Sequence, residues 1–127
     1  MLASSKAFSG FAVDDVERAQ EFYGRTLGLK TSMLDTENGL MMLHLAGDRD
    51  TVVYRKPDFT AATYTILNFP VDNIDTAVDE LAARGVRFER YEGFEQDEKG
   101  IARGPGPDIA WFRDPAGNIL SVLQQEG

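Results

Sequence analysis

Two stretches of the chain carry the same order of apolar and polar positions. Gly10-Phe11-Ala12-Val13-Asp14-Asp15-Val16-Glu17-Arg18-Ala19 matches Asn68-Phe69-Pro70-Val71-Asp72-Asn73-Ile74-Asp75-Thr76-Ala77 at a constant offset of 71 − 13 = 58 residues. Each copy starts with strand-like alternation and passes into helical spacing. The first copy predicts a helix over residues 15–25, with Val16, Ala19, Phe22 and Tyr23 on its buried face. The second predicts a helix over 73–84, with Ile74, Ala77, Val78 and Leu81 buried and Gly85 as the stop. Asp14 and Asp72 stand where N-caps are expected, with Glu17 and Asp75 three residues on as capping-box or dipole partners.

After each helix the spacing changes from 3.6 to 2. The first half predicts strands over 29–34, 40–46 and 51–56, with turns at Asn38-Gly39 and Gly47-Asp48-Arg49-Asp50. The second half predicts strands over 86–91, 109–112 and 118–124, with a weaker segment within 96–103. Asp114-Pro115-Ala116-Gly117-Asn118 is a hairpin signal: Pro115 suits the first central position of a type I turn, and Gly117 the left-handed position after it. Each half reads strand–helix–strand–strand–strand, spanning 6–57 and 61–125, with Pro57-Asp58-Phe59-Thr60 as the joint. Neither half would bury much core alone, so 1–127 is expected to form a single domain of α+β class.

Composition narrows the chemistry. The 127 residues include no Cys, which excludes disulfides, thiolate metal sites and a Cys nucleophile. A single His excludes a one-chain two-His-one-carboxylate iron site and an H-E-x-x-H zinc site, so neither metal nor cofactor is expected. The net charge of −8 opposes binding to a nucleic-acid backbone. No apolar run approaches the ~20 residues that span a bilayer, so no membrane partner is expected. Met1-Leu2-Ala3-Ser4-Ser5-Lys6 carries no signal-peptide pattern, and the expected location is the cytoplasm.

Three stretches carry a family resemblance: Phe11-Ala12-Val13-Asp14-Asp15-Val16-Glu17-Arg18-Ala19-Gln20-Glu21-Phe22-Tyr23, then Leu27-Gly28-Leu29, and Trp111-Phe112-Arg113-Asp114-Pro115-Ala116-Gly117-Asn118. In this order, with the repeat between them, the chain resembles the vicinal oxygen chelate superfamily, the glyoxalase/bleomycin resistance/extradiol dioxygenase fold. The resemblance implies two βαβββ modules whose mixed sheets curl around a central cavity, and a homodimer. In metal-dependent members one ligand lies on the first strand and one on the last strand of each module. The matching positions here are Phe8, Ile66, Ser121 and, aligning Val52-Val53-Tyr54 with Ile119-Leu120-Ser121, Tyr54. Phe and Ile cannot ligate, and Ser with Tyr is a poor divalent-metal site. The resemblance therefore implies a member without the family's metal, and with it without glyoxalase I, extradiol or fosfomycin thiol-transfer chemistry.

Strand alternation then selects the cavity lining. Phe8, Gly10 and Ala12 share a face, as do Ile66 and Asn68; Leu40, Met42, His44 and Ala46; Val52, Tyr54 and Lys56; Ile119, Ser121 and Leu123; and Trp111 and Arg113. The candidate ligand-binding residues are Phe8, Met42, His44, Tyr54, Asn68, Trp111 and Ser121, an apolar and aromatic lining with a few polar groups. His44 and Tyr54 are the candidate catalytic residues, an imidazole and a phenol suited to acid–base work. Each also has an ordinary structural reading: His44 as a hydrogen-bonded strand residue, Tyr54 and Asn68 as half-buried strand positions, Trp111 as a core or dimer contact. Glu92, Glu95, Asp97 and Glu98 form an acidic loop, read as solvated, with attraction of a cation or action as a lid as alternatives. Gly100, Gly104, Pro105, Gly106 and Pro107 mark a loop, but no phosphate cradle, because no helix with Lys-Ser/Thr follows.

Four functions compete. The first is a metal-free binding protein for a small aromatic or hydrophobic molecule, cations included, like the antibiotic-sequestering members of the family. The second is a metal-independent lyase or isomerase acting on a small carbonyl or aromatic compound. The third is a dimeric domain without a working pocket. A metal-dependent glyoxalase or dioxygenase ranks last. The first is preferred by a narrow margin over the second.

Overall fold

The computed structural model describes residues 1–126. The chain divides into two compact units, Met1–Ala61 and the remainder from Ala62 onward. After a short 3₁₀ turn at Leu2–Ser4, the first unit runs β1 (Ser9–Val13), α1 (Val16–Gln20), a π-helical turn (Glu21–Thr26), β2 (Lys30–Asp35), β3 (Leu40–His44) and β4 (Thr51–Arg55). Its sheet has the order β1-β4-β3-β2, with β1 parallel to β4 and the other pairs antiparallel. The second unit runs β5 (Thr65–Val71), α2 (Ile74–Ala83), β6 (Ile109–Arg113) and β7 (Ile119–Gln124), in the order β5-β7-β6 with β5 parallel to β7. This is the expected α+β architecture, one strand–helix–sheet unit repeated. No described helix is long and apolar enough to cross a membrane.

Both helices form where the spacing predicts, but each starts one residue late. Asp15 and Asn73 are the caps, still in extended backbone at φ near −146° and −143°; their carboxylate and amide oxygens accept from Arg18 N at 3.1 Å and Thr76 N at 3.0 Å. Asp14 and Asp72, the expected caps, lie outside the helices. The reason is burial. Val16 and Ile74 must be the first helical residues for their side chains to reach the core. Glu17 and Asp75 are then too early for a capping box and are left to favour the helix dipole. The first helix does not stay α-helical: from Glu21 the hydrogen bonds span five residues instead of four, as where Leu27 N donates to Phe22 O at 2.9 Å.

One face of each sheet packs under its helix. In the first unit Phe11, Val13, Val16, Ala19, Tyr23, Met41, Leu43 and Val53 are buried, with the Phe11 and Tyr23 rings 5.6 Å apart. In the second, Ile74, Val78, Ala110, Phe112, Leu120 and Val122 are buried. Each of the buried Val, Leu, Ile, Phe and Met side chains contributes about 1.5–3 kcal/mol. At the β6–β7 hairpin, Gly117 takes φ of +94° and donates to Asp114 O at 2.9 Å, as the turn signal requires.

The expected strand over 86–91 is not a regular strand. Only Phe88 makes a bridge, to Phe112, and Glu89 N donates to Trp111 O at 2.8 Å. The side chain of Gln96 occupies the backbone groups that a ladder would use. Its Oε1 accepts from Tyr91 N at 2.8 Å, and its Nε2 donates to Glu89 O at 2.8 Å and Gly100 O at 2.7 Å. The segment 96–103 likewise has only isolated bridges, Gln96 with Ala102 and Ala102 with Ile109.

Candidate functional site

In the second unit the face of the sheet away from α2 carries a row of side chains set by register. Asn68 pairs with Ser121, and Ser121 with Trp111. The Ser121 hydroxyl donates to Asn68 Oδ1 at 2.6 Å. Beyond Trp111 comes the 86–91 segment, where the Tyr91 ring meets the indole edge-on at 5.4 Å; Phe94 tilts against it at 5.1 Å. The expectation that Asn68, Ser121 and Trp111 share a surface is what the structure places. The indole, however, is flanked by two aromatic rings rather than standing alone. Offset and edge-on pairs of this kind stabilise an arrangement by about 0.5–1.5 kcal/mol beyond area burial.

Tyr91 and Phe94 continue into an open concavity of about 670 Å³, which Arg90, Gln96, Ile101 and Arg103 complete, with Glu95 and Asp97 at its polar side. Phe94 is 55% exposed, and Ile101 is fully buried. The Tyr91 hydroxyl is buried and has no hydrogen-bond partner among the described residues. Burial pushes its pKa up; the Arg113 guanidinium opposes this, and the Glu89 carboxylate adds to it. Arg113 and Glu89 are themselves ion-paired beside it.

The acidic loop, expected to be solvated, is partly structural. Asp97 Oδ1 accepts from Lys99 N and Ile101 N, both at 2.9 Å, and Oδ2 from Arg103 Nε at 3.2 Å. Burial raises the Asp97 pKa, but these donors outweigh it and hold the carboxyl below its ordinary value. Arg103 also donates to Asp108 at 2.9 Å and to Asp75 on α2 at 2.8 Å, tying the loop to the helix. Arg90 anchors the same loop through the Asp97 and Glu98 carbonyls at 2.8 and 3.0 Å. A carboxylate that accepts two backbone N–H groups makes a turn rigid, which the charge pattern alone does not reveal. Glu95 has no ion pair among the described residues.

In the first unit the face away from α1 carries Gly10 and Ala12 on β1, Val52 and Tyr54 on β4, Leu40, Met42 and His44 on β3, and Ser32 on β2. Phe8, just ahead of β1, is 68% exposed, and Tyr54 is 40% exposed. His44 and Tyr54 do not come together as an acid–base pair. Tyr54 pairs with Leu40, and His44 lies four residues farther along β3, about 13 Å away. His44 instead stands between Ser32 and Asp50, 2.7 Å from the Ser32 Oγ and 3.1 Å from the Asp50 Oδ1. Neither partner was singled out by sequence, because both come close only through strand pairing.

The module-to-module match of Tyr54 with Ser121 is also corrected. Ser121 pairs with Asn68, the repeat counterpart of Gly10 (10 + 58 = 68), and Gly10 pairs with Val52. Val52, not Tyr54, is the counterpart of Ser121. A slip of two residues keeps the alternation of faces, so the pattern cannot detect it. The four positions are then Phe8, Val52, Ile66 and Ser121, and the one hydroxyl among them is already donated to Asn68. Among the described residues no three His, Cys, Asp or Glu side chains are grouped to hold a metal ion.

Comparison with known proteins agrees with this geometry. The model of the Glyoxalase/Bleomycin resistance protein/Dioxygenase superfamily matches residues 7–122. The chain is 27% identical to the uncharacterized protein YraH of Bacillus subtilis (strain 168), covering 88% of this chain and 91% of that one. Among solved structures, a superfamily member from Sphaerobacter thermophilus DSM 20745 superposes with a TM-score of 0.74 at 23% identity, covering 97% and 99% of the two chains. TnmS3, an antibiotic binding protein from Streptomyces sp. CB03234, superposes with a TM-score of 0.70 at 22% identity, covering 97% and 98%. At these identities the structural likeness shows the shared fold.

Proposed function

The chain belongs to the glyoxalase/bleomycin resistance protein/dioxygenase superfamily, and from that premise we propose that it binds a small, flat, largely apolar aromatic molecule without a metal. The observation that carries this reading is the aromatic group of Tyr91, Phe94 and Trp111, which runs from the polar pair Ser121–Asn68 into the open concavity. An exposed ring beside a buried phenol with no hydrogen-bond partner among the described residues, and a few fixed polar groups, is the usual makeup of a site for a small organic ligand. The donor chemistry at Phe8, Val52, Ile66 and Ser121 supports the metal-free part. The likeness to an antibiotic binding protein supports the ligand class. The net charge of −8 and Glu95, which has no ion pair among the described residues, favour a cation-bearing ligand over an anionic one.

Trp111 is the only tryptophan, so its fluorescence reports on the site directly. Titration with planar aromatic compounds, cationic and neutral, at low and high salt, is expected to give saturable quenching and a raised unfolding temperature for at least one of them. Salt should weaken the cationic compounds more. Trp111→Leu should reduce affinity by about tenfold, about 1.4 kcal/mol. A panel that neither quenches Trp111 nor shifts unfolding would sink the reading. The family resemblance also implies a homodimer; sedimentation velocity checks it, and a single species at the mass of one chain would refute it.

A further inference from the structure

Three side chains of the first unit stand in line: Ser32 in β2, His44 at the end of β3, and Asp50 in the turn before β4. The Asp50 carboxylate, 3.1 Å from Nδ1, can only accept, so the neutral imidazole carries its proton there. Nε2 then keeps a lone pair, and the Ser32 hydroxyl donates to it at 2.7 Å. This is the tautomer that activates a serine for attack on a carbonyl. Register produces the line. Lys30 pairs with His44 and Ser32 with Met42, so hydroxyl and imidazole are diagonal neighbours on one face. Leu43 pairs with Thr51, which brings Asp50 up to His44. Ser32 and His44 are half-buried and Asp50 is exposed, so the line is open to solvent. Opposite Ser32 lies Met42, and beyond it Val52, an apolar floor. Lys30 lies on the same face, and its ammonium has no carboxylate partner among the described residues.

We propose that Ser32 is an acylatable nucleophile with His44 as its general base and Asp50 as the residue that positions the imidazole, acting on small esters of apolar carboxylic acids. The Ser32 Oγ bonds to the ester carbon while its proton passes to His44 Nε2. The bond from carbon to the leaving oxygen breaks, and that oxygen takes the proton from His44. Water then attacks the acyl-serine, giving up a proton through His44, and releases the carboxylic acid and the free hydroxyl. The acyl group rests on Met42 and Val52, and Lys30 supplies the positive charge facing the developing oxyanion. This activity is independent of the aromatic site of the second unit, and its test does not use that site.

The test is covalent capture by an alkyl fluorophosphonate, in which Ser32 displaces fluoride from phosphorus and His44 takes the proton. The folded full-length chain is expected to gain the mass of one alkylphosphonyl group, mapped by peptide sequencing to Ser32. p-Nitrophenyl butyrate should show a burst of one p-nitrophenolate per chain. Ser32→Ala should take up no label, and Asp50→Asn should label at least about tenfold more slowly, with circular dichroism unchanged. Asp50 is exposed, so its variant remains informative if Ser32→Ala misfolds. An unlabelled wild-type chain, a label mapped away from Ser32, or an Asp50→Asn rate equal to wild type would each overturn the proposal.

Discussion

Replacing Asp114 should remove more stability than any other single polar change in the second unit. Asp114 is 4% exposed and sits at the mouth of the β6–β7 hairpin. Its Oδ1 accepts from Ala116 N at 3.0 Å and Asn118 N at 2.9 Å, and its Oδ2 from Asn118 Nδ2 at 3.1 Å. Asn118 is 2% exposed, so two of the three hydrogen bonds that Asp114→Ala removes lie in the interior. At about 1–1.5 kcal/mol for each lost hydrogen bond, the three give an expected loss of about 3–4 kcal/mol. Asp114→Asn keeps an oxygen for the two backbone groups and loses mainly the contact with Asn118 Nδ2, for about 1–2 kcal/mol. The assay is urea unfolding followed by far-ultraviolet circular dichroism. At a slope of about 2 kcal/mol per molar, the alanine variant should lose roughly 2 M in midpoint. A loss under about 1 kcal/mol for Asp114→Ala, or equal losses for both variants, would refute the assignment of Asp114 as the turn's acceptor.

Two further outcomes follow from the geometry. Gly39 has φ of +69°, and a Cβ there would meet the Arg55 Cβ at 2.7 Å, so Gly39→Ala should destabilise by about 1–3 kcal/mol in thermal or urea unfolding; a neutral change would contradict the close approach. Asp97 has a folded pKa below its ordinary 3.8. The folded state therefore binds the proton less readily than the unfolded one. Its stabilising effect is present above about pH 4 and is lost as pH falls through the lowered folded value. Asp97→Asn should flatten the fall in stability between neutral pH and about pH 3, measured by urea midpoints across pH, and an unchanged slope would count against the Asp97–Arg103 turn.

Much of the site was legible, and the part that was not has one cause. Asn68, Ser121 and Trp111 were placed on one surface by alternation, because alternate residues of a strand must share a face. Alternation says nothing about which residue of the next strand stands opposite. Tyr54 was therefore matched to Ser121 where Val52 belongs, and His44 was linked with Tyr54 when its partners are Ser32 and Asp50. Tyr91 was missed for a related reason: it ends a segment whose strand pattern was overridden by the side chain of one glutamine, Gln96, and Phe94 lies in the loop beyond it.

What the order of residues determined by itself was local and periodic. It set the repeat at an offset of 58, the two amphipathic helices, the buried faces of β3 and β4, and the Asp114–Asn118 turn, since each depends on neighbours within a few residues. It also set Phe8 and Ile66, which carry no donor atom, at two of the positions where the resemblance implies metal ligands. Tertiary structure alone decided register, the one-residue shift of both helix caps, the rigid turn around Asp97, and the meeting of Ser32, His44 and Asp50. Those are choices among pairings that local preference leaves nearly equal in energy. Strand pairing and core burial act between residues far apart in the chain, and they break the tie.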